Sequence, residues 1–126
     1  MVVDKKILNR EVFLSLWKIH ILHHAGEGPV VGQWMLRELR RHGYEVSPGT
    51  MYPLLGRMER HGWLRGESAG RGPKARRDYH LTRAGRRVLT LVRRQLDELR
   101  GEMEPRGIGR DRQDRGIPLI RAGSPG

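Results

Sequence analysis

Six histidines, fourteen carboxylates and no cysteine are the groups in this 126-residue chain that could ligate a metal or move a proton. His20, His23 and His24 are spaced so that two imidazoles four residues apart share a helical face, where they can meet one ion. A bound ion needs more than histidines on one helix. With thiolates absent and no carboxylate counted beside them, no metal site and no cofactor are assigned. The same histidines read more simply as solvated or interface side chains. His42, His61 and His80 stand alone, and none of the six is paired with a nucleophile by its spacing. Gly70, Gly72 and Lys74 lack the spacing and the strand-to-helix setting of a phosphate-binding loop. An enzyme is not expected.

Cations are the abundant chemistry. Lys and Arg number 25 against 14 Asp and Glu, a formal charge of +11, so the expected partner is an acidic polymer, with nucleic acid first. Two clusters stand out. Ser47, Thr50 and Tyr52 place three hydroxyls around Gly49, with Arg57 two turns on. Arg71, Lys74, Arg76 and Arg77 crowd a glycine-containing stretch. Cations of the second kind neutralise phosphates and position a protein without reading sequence. The few hydroxyls of the first kind are suited to base edges, with DNA shape supplying further selectivity.

The elements that must position these groups follow from periodicity. Glu11 to Leu22 is apolar nearly all round a helix, which predicts cover on both sides and a partner subunit; glycines at 26 and 28 end it. Val31, Trp34, Met35 and Leu39 predict an amphipathic helix over Val30 to His42, stopped by Gly43. Ser47 before Pro48 marks a new helix start, with the hydroxyl as cap and Met51, Leu54, Leu55 and Met58 as the buried stripe. Pro53 is expected to bend that helix or tighten its first turn. Trp63 to Glu67 and Arg77 to Leu81 predict a hairpin with a basic tip. Thr82 caps a last helix whose Leu89, Val92, Leu96, Leu99 and Met103 alternate at three and four residues, the seam of a paired helix. Pro and Gly then dominate, and a disordered basic tail is expected.

The fold class is therefore mainly α with a small β-hairpin, a winged helix-turn-helix plus a C-terminal dimerisation helix. Residues 1–81 form the DNA-binding domain, 82–104 the dimerisation helix and 105–126 the tail. Dimerisation is assigned to Phe13, Leu16, Trp17, Leu89, Val92, Leu96, Leu99 and Met103. Trp17, Trp34 and Trp63 could line a ligand pocket, though core or dimer packing explains each. The longest apolar stretch, Val12 to Leu22, is interrupted by Ser15, Lys18 and His20 and is too short for roughly 30 Å of hydrocarbon. Without a secretory leader or cysteines, a cytoplasmic protein is expected.

The run Gly43-Tyr44-Glu45-Val46-Ser47-Pro48-Gly49-Thr50-Met51-Tyr52-Pro53-Leu54-Leu55 resembles the recognition-helix signature of PadR-type transcriptional regulators, and Leu81-Thr82-Arg83-Ala84-Gly85 resembles the motif that follows their wing. The resemblance spans about Ile19 to Leu99. It implies a bacterial homodimeric repressor, with Ser47, Thr50, Tyr52 and Lys74 facing double-stranded DNA and end helices forming the dimer, and twofold symmetry leads one to expect a palindromic operator. The short C-terminal part is similar to the single-helix subtype, and any small-molecule effector is unplaced. Where members commonly carry Tyr before the glycine of the first motif helix, this chain has Val31 before Gly32. Two other readings of the same charge are an RNA-binding accessory protein and a protein-interaction module.

Overall fold

Asp4 opens the first helix by accepting hydrogen bonds from the backbone N–H groups of Lys6 (2.9 Å) and Ile7 (3.3 Å). In the computed structural model, which describes residues 2–73 and 75–105, α1 (Lys5–Leu8) passes through a π turn (Asn9–Phe13) into α2 (Leu14–Glu27). The π turn is closed by the Leu14 N–H reaching the Asn9 carbonyl five residues back. Gly26 does not end α2 as the sequence suggests. It stays inside the helix, where a Cβ would lie 3.4 Å from Leu81 and 3.6 Å from Leu89, and Gly28 is the cap.

Val30 and Val31 leave the predicted helix to form β1 (Val30–Val31), paired antiparallel with β3 (Arg77–Leu81) through Val30 opposite Tyr79 and Val31 opposite Asp78. The helix α3 therefore starts at Gly32 and runs to Arg41. Its buried stripe is Gly32, Met35, Leu36 and Leu39, while Trp34, expected on that stripe, is 41% exposed with its ring edge against His24. Gly43 adopts a positive φ of 97°, and the N–H groups of Gly43 and Tyr44 turn back onto the carbonyls of Arg40 and Leu39. After this turn comes α4 (Pro48–Arg60), which continues through Pro53. Its first turn is tight, with the Thr50 N–H reaching the Ser47 carbonyl three residues back at 3.0 Å.

The hairpin is β2 (Leu64–Ser68) with β3, and the sheet order is β1-β3-β2. Thr82 caps α5 (Arg83–Met103) by accepting from the Gly85 N–H at 2.9 Å. The chain divides at Val92 into two units, the second holding the rest of α5. In the first unit one core gathers Trp17, Ile21 and Leu22 of α2, Met35 and Leu39 of α3, the α4 stripe, and Leu64, Tyr79 and Leu89.

Two residues assigned to dimerisation sit in that core: Trp17 (2% exposed) and Leu89 (3%) are packed inside their own chain. The molecule thus covers one side of α2 itself, which the apolar circumference alone does not reveal. Phe13, Leu16, Val92 and Leu96 are half-buried, and Leu99 (50%) and Met103 (73%) are exposed. The predicted tail from residue 106 onward and Lys74 lie outside the described residues.

Candidate nucleic-acid interface

Four residues anchor α4 so completely that its outward side is determined by default. Met51, Leu54, Leu55 and Met58 are 0% exposed, leaving Ser47, Gly49 and Tyr52 exposed and Thr50 and Arg57 half-exposed. The hydroxyl of Ser47 does not cap the helix as expected. Its backbone carbonyl accepts from the Thr50 and Met51 N–H groups, and its Oγ lies 3.4 Å from the Thr50 Oγ1. Both hydroxyls thus stand together at a helix N-terminus, where the aligned peptide dipoles favour a phosphate.

Tyr52 is seated by a glycine. A Cβ on Gly32 would fall 2.5 Å from the Tyr52 ring and 3.2 Å from Leu55, so the first residue of α3 has to be small for α4 to lie this close. The ring rests on α3 and still leaves 47% of the residue exposed. In the sequence Gly32 is conspicuous only for its neighbour Val31. The signal that could have found it is a glycine at the helix start facing a bulky residue twenty positions on.

The hairpin cations separate into different roles. Arg71 is exposed at the tip, beside Gly72 with its φ of 91°. Arg76 pairs with Asp78 at 3.0 Å while remaining 61% exposed. Arg77, expected on DNA, instead folds back across Gly66. Its guanidinium donates to Glu59 of α4 at 2.9 Å and to the Ser68 Oγ at 3.4 Å, and it lies 5.9 Å from the centre of the Tyr79 ring. A Cβ on Gly66 would come within 2.5 Å of that side chain. The Gly66 N–H also donates to Glu59, at 3.0 Å. Hydrogen bonding to Glu59 raises the proton affinity of Arg77 above the ordinary arginine value. Glu59, which no pattern in the sequence marks, is thus the joint between α4 and the wing.

Next to the start of α4 is a cavity of about 460 Å³ lined by Asn9, Arg10, Trp17, Ser47, Thr50 and Arg57, among others. The Trp17 Nε1 is buried without a hydrogen-bond partner among the described residues. Of the three tryptophans considered as pocket residues, Trp17 lines this cavity, Trp34 lines a smaller one near the end of α2, and Trp63 is half-buried against the core.

Comparison with known proteins agrees with this architecture. Residues 21–91 match the model of the transcriptional regulator PadR-like family. The chain is 49% identical over 94 residues to the transcriptional regulator Rv3488 of Mycobacterium tuberculosis, covering 75% of this chain and 88% of that one. Among solved structures, a PadR family transcriptional regulator from Eggerthella lenta is 30% identical with a TM-score of 0.61, over 77% of this chain and 89% of its own. A PadR-like transcription factor from Bacteroides fragilis shares the fold at a TM-score of 0.66 and 24% identity, over 75% and 93% of the two chains. No helix among the described residues is long and apolar enough to cross a membrane. With a hydroxyl-bearing helix start on a buried apolar stripe, a braced basic wing, and these matches, the chain belongs to the PadR-like family of DNA-binding transcriptional regulators and is not an enzyme.

Proposed function

We propose that the protein is a bacterial, cytoplasmic homodimeric repressor that inserts α4 into the major groove of a palindromic operator and is released by a small-molecule effector. The single observation that carries the reading is the division of α4 into a fully buried stripe and an exposed side bearing Ser47, Gly49, Thr50 and Tyr52. In this reading Ser47 takes a phosphate at the helix N-terminus, Thr50 and Tyr52 meet base edges, and Arg57, Arg71, Lys74 and Arg76 track the backbone. Arg77 acts from behind, holding the wing through Glu59. Two copies pair through the apolar side chains left on the N-terminal helical segment and on α5, with Phe13, Leu16, Val92, Leu96, Leu99 and Met103 as the participants. Twofold symmetry then sets the half-sites about 34 Å apart, or a multiple of that. An effector in the cavity beside Trp17 would contact Ser47, Thr50 and Arg57 and so compete with DNA.

The test is a mobility-shift titration on the promoter upstream of the protein's own gene, at several salt concentrations. Thr50→Ala and Tyr52→Ala are expected to weaken the operator more than random duplex, by about 1–3 kcal/mol for each base-reading side chain removed. Arg71→Ala is expected to weaken both alike and to lower the salt slope by about one. Equal affinity for operator and random duplex would overturn the reading.

A further inference from the structure

The C-terminal end of α2 brings His23, His24 and Glu27 together. The His23 Nε2 is 3.6 Å from one Glu27 carboxylate oxygen and the His24 Nδ1 is 3.5 Å from the other. One ligand atom from each of the three falls within 4.8 Å of the others. Two ligands on one tetrahedral zinc, each bound at about 2.0–2.1 Å, stand roughly 3.3 Å apart. The two contacts through Glu27 are already near that spacing. The remaining adjustment falls on His23 and Glu27, whose side chains are 43% and 64% exposed and can rotate at the surface.

A second observation points the same way from another helix. The Nε2 of His24 lies 3.4 Å from a carboxylate oxygen of Glu38 on α3. Glu38 is only 11% exposed and is held in place by the Arg41 guanidinium, through contacts of 2.8 and 3.1 Å, and by His42 at 3.1 Å. A carboxylate oxygen against Nε2 matches the N–H of that nitrogen and leaves Nδ1, 3.5 Å from Glu27, as the ligating atom. Metal-bound imidazoles are oriented in this way, with a carboxylate on the far nitrogen. A cavity of about 400 Å³, lined in part by His24, Glu27, Val30 and Trp34, leaves room for water or a further ligand to complete the coordination.

We propose that His23, His24 and Glu27 bind one divalent transition-metal ion of the zinc and cobalt class, with Glu38 positioning His24 from the neighbouring helix. The ligand set differs from the three histidines the spacing first suggests. His20 packs on His42 and Tyr44, at ring separations of 4.9 and 5.8 Å, and its ring is stacked on that of His24 at 6.4 Å, without entering the cluster of ligand atoms. The missing third ligand is Glu27, four residues after His23 and three after His24. Two imidazoles and a carboxylate suit zinc, cobalt or nickel and do not suit calcium or magnesium, which take oxygen ligands. The site does not depend on the DNA reading, because the ion is detected directly.

The experiment uses the full chain, stripped of metal, titrated with Co²⁺ and then Zn²⁺ in a non-coordinating buffer near neutral pH. Saturable visible cobalt absorption at one ion per chain, displaced by zinc, is expected. His24→Ala and Glu27→Gln each lower the affinity tenfold or more, Glu38→Gln lowers it by about 10–100-fold, and His20→Ala leaves it unchanged. Glu27 is largely exposed, so its variant folds like the parent, and circular dichroism checks the others. Absence of saturable binding at micromolar metal overturns the proposal, as does affinity that survives both His24→Ala and Glu27→Gln.

Discussion

Gly85 is fixed by a carbonyl. A Cβ there would lie 2.1 Å from the Trp63 carbonyl oxygen, which also accepts from the Thr82 N–H, so the start of α5 and the end of the α4 turn share one contact that tolerates no side chain. Gly85→Ala is expected to destabilise the fold by about 3 kcal/mol, read as a lower urea midpoint at unchanged slope. Gly26 is the opposite case. Its added Cβ would meet Leu81 and Leu89 at ordinary contact distances inside a helix, so Gly26→Ala is expected to stabilise by about 0.5–1 kcal/mol in the same measurement. Glu38 supplies a pH signature. Arg41, then His42 and His24, face its carboxylate and hold its pKa down to about 2 from an ordinary 4.5. A lowered carboxylate pKa contributes stability above the unfolded value, and that contribution is lost as pH falls from about 4.5 to about 2. The difference in melting temperature between the parent and Glu38→Gln should therefore be largest above about pH 5 and shrink steadily below it; a constant difference would show that Glu38 acts by packing alone.

At the scale of elements, the wing is held to α4 by a bracket in which Glu59 accepts from both the Arg77 guanidinium and the Gly66 N–H. Arg77→Ala and Glu59→Gln should each lower stability modestly, and a double-mutant cycle should return a small favourable coupling, as for other partly exposed ion pairs. Additive losses would mean that the pair is incidental. This bracket also marks the limit of what the residues disclose in one dimension. The α4 stripe, the Thr82 cap and the hairpin strands are legible because each is a local pattern: apolar spacing, a hydroxyl before a helix, two β-rich runs around glycines. The partner of Arg77 is not legible, because Glu59 is eighteen residues away and a basic run reads as a phosphate-seeking surface until a carboxylate is placed beneath it. Val30 and Val31 mislead for a related reason. Two valines beside a helical pattern look like its first turn, and only pairing with Tyr79 and Asp78 makes them a strand. The His24–Glu38 contact, between two helices, is likewise invisible to spacing along one of them.

For the whole molecule, the proposed homodimer has to bring together two chains that each carry a formal charge of +11. The apolar residues that spacing assigns to one seam divide into two classes with different consequences. Leu89 is 3% exposed within its own chain, so Leu89→Ala should cost about 2–5 kcal/mol of folding stability at any protein concentration. Leu99 is 50% exposed and Met103 73%, so the fold of a single chain does not depend on them. Replacing Leu99 and Met103 together with Asp should leave far-ultraviolet circular dichroism unchanged. If the proposed dimer pairs through them, the replacement should also shift sedimentation equilibrium toward the single-chain mass and weaken operator binding through lost bivalency. Raising salt sharpens the distinction: screening over a Debye length of about 8 Å relieves repulsion between the two cationic copies while weakening their hold on phosphate. Association of the parent chain should therefore strengthen with salt as DNA affinity falls. A Leu99, Met103 double variant that sediments like the parent would place the subunit contact elsewhere, whereas one that unfolds would mean that the exposed end of α5 is needed by the single chain after all.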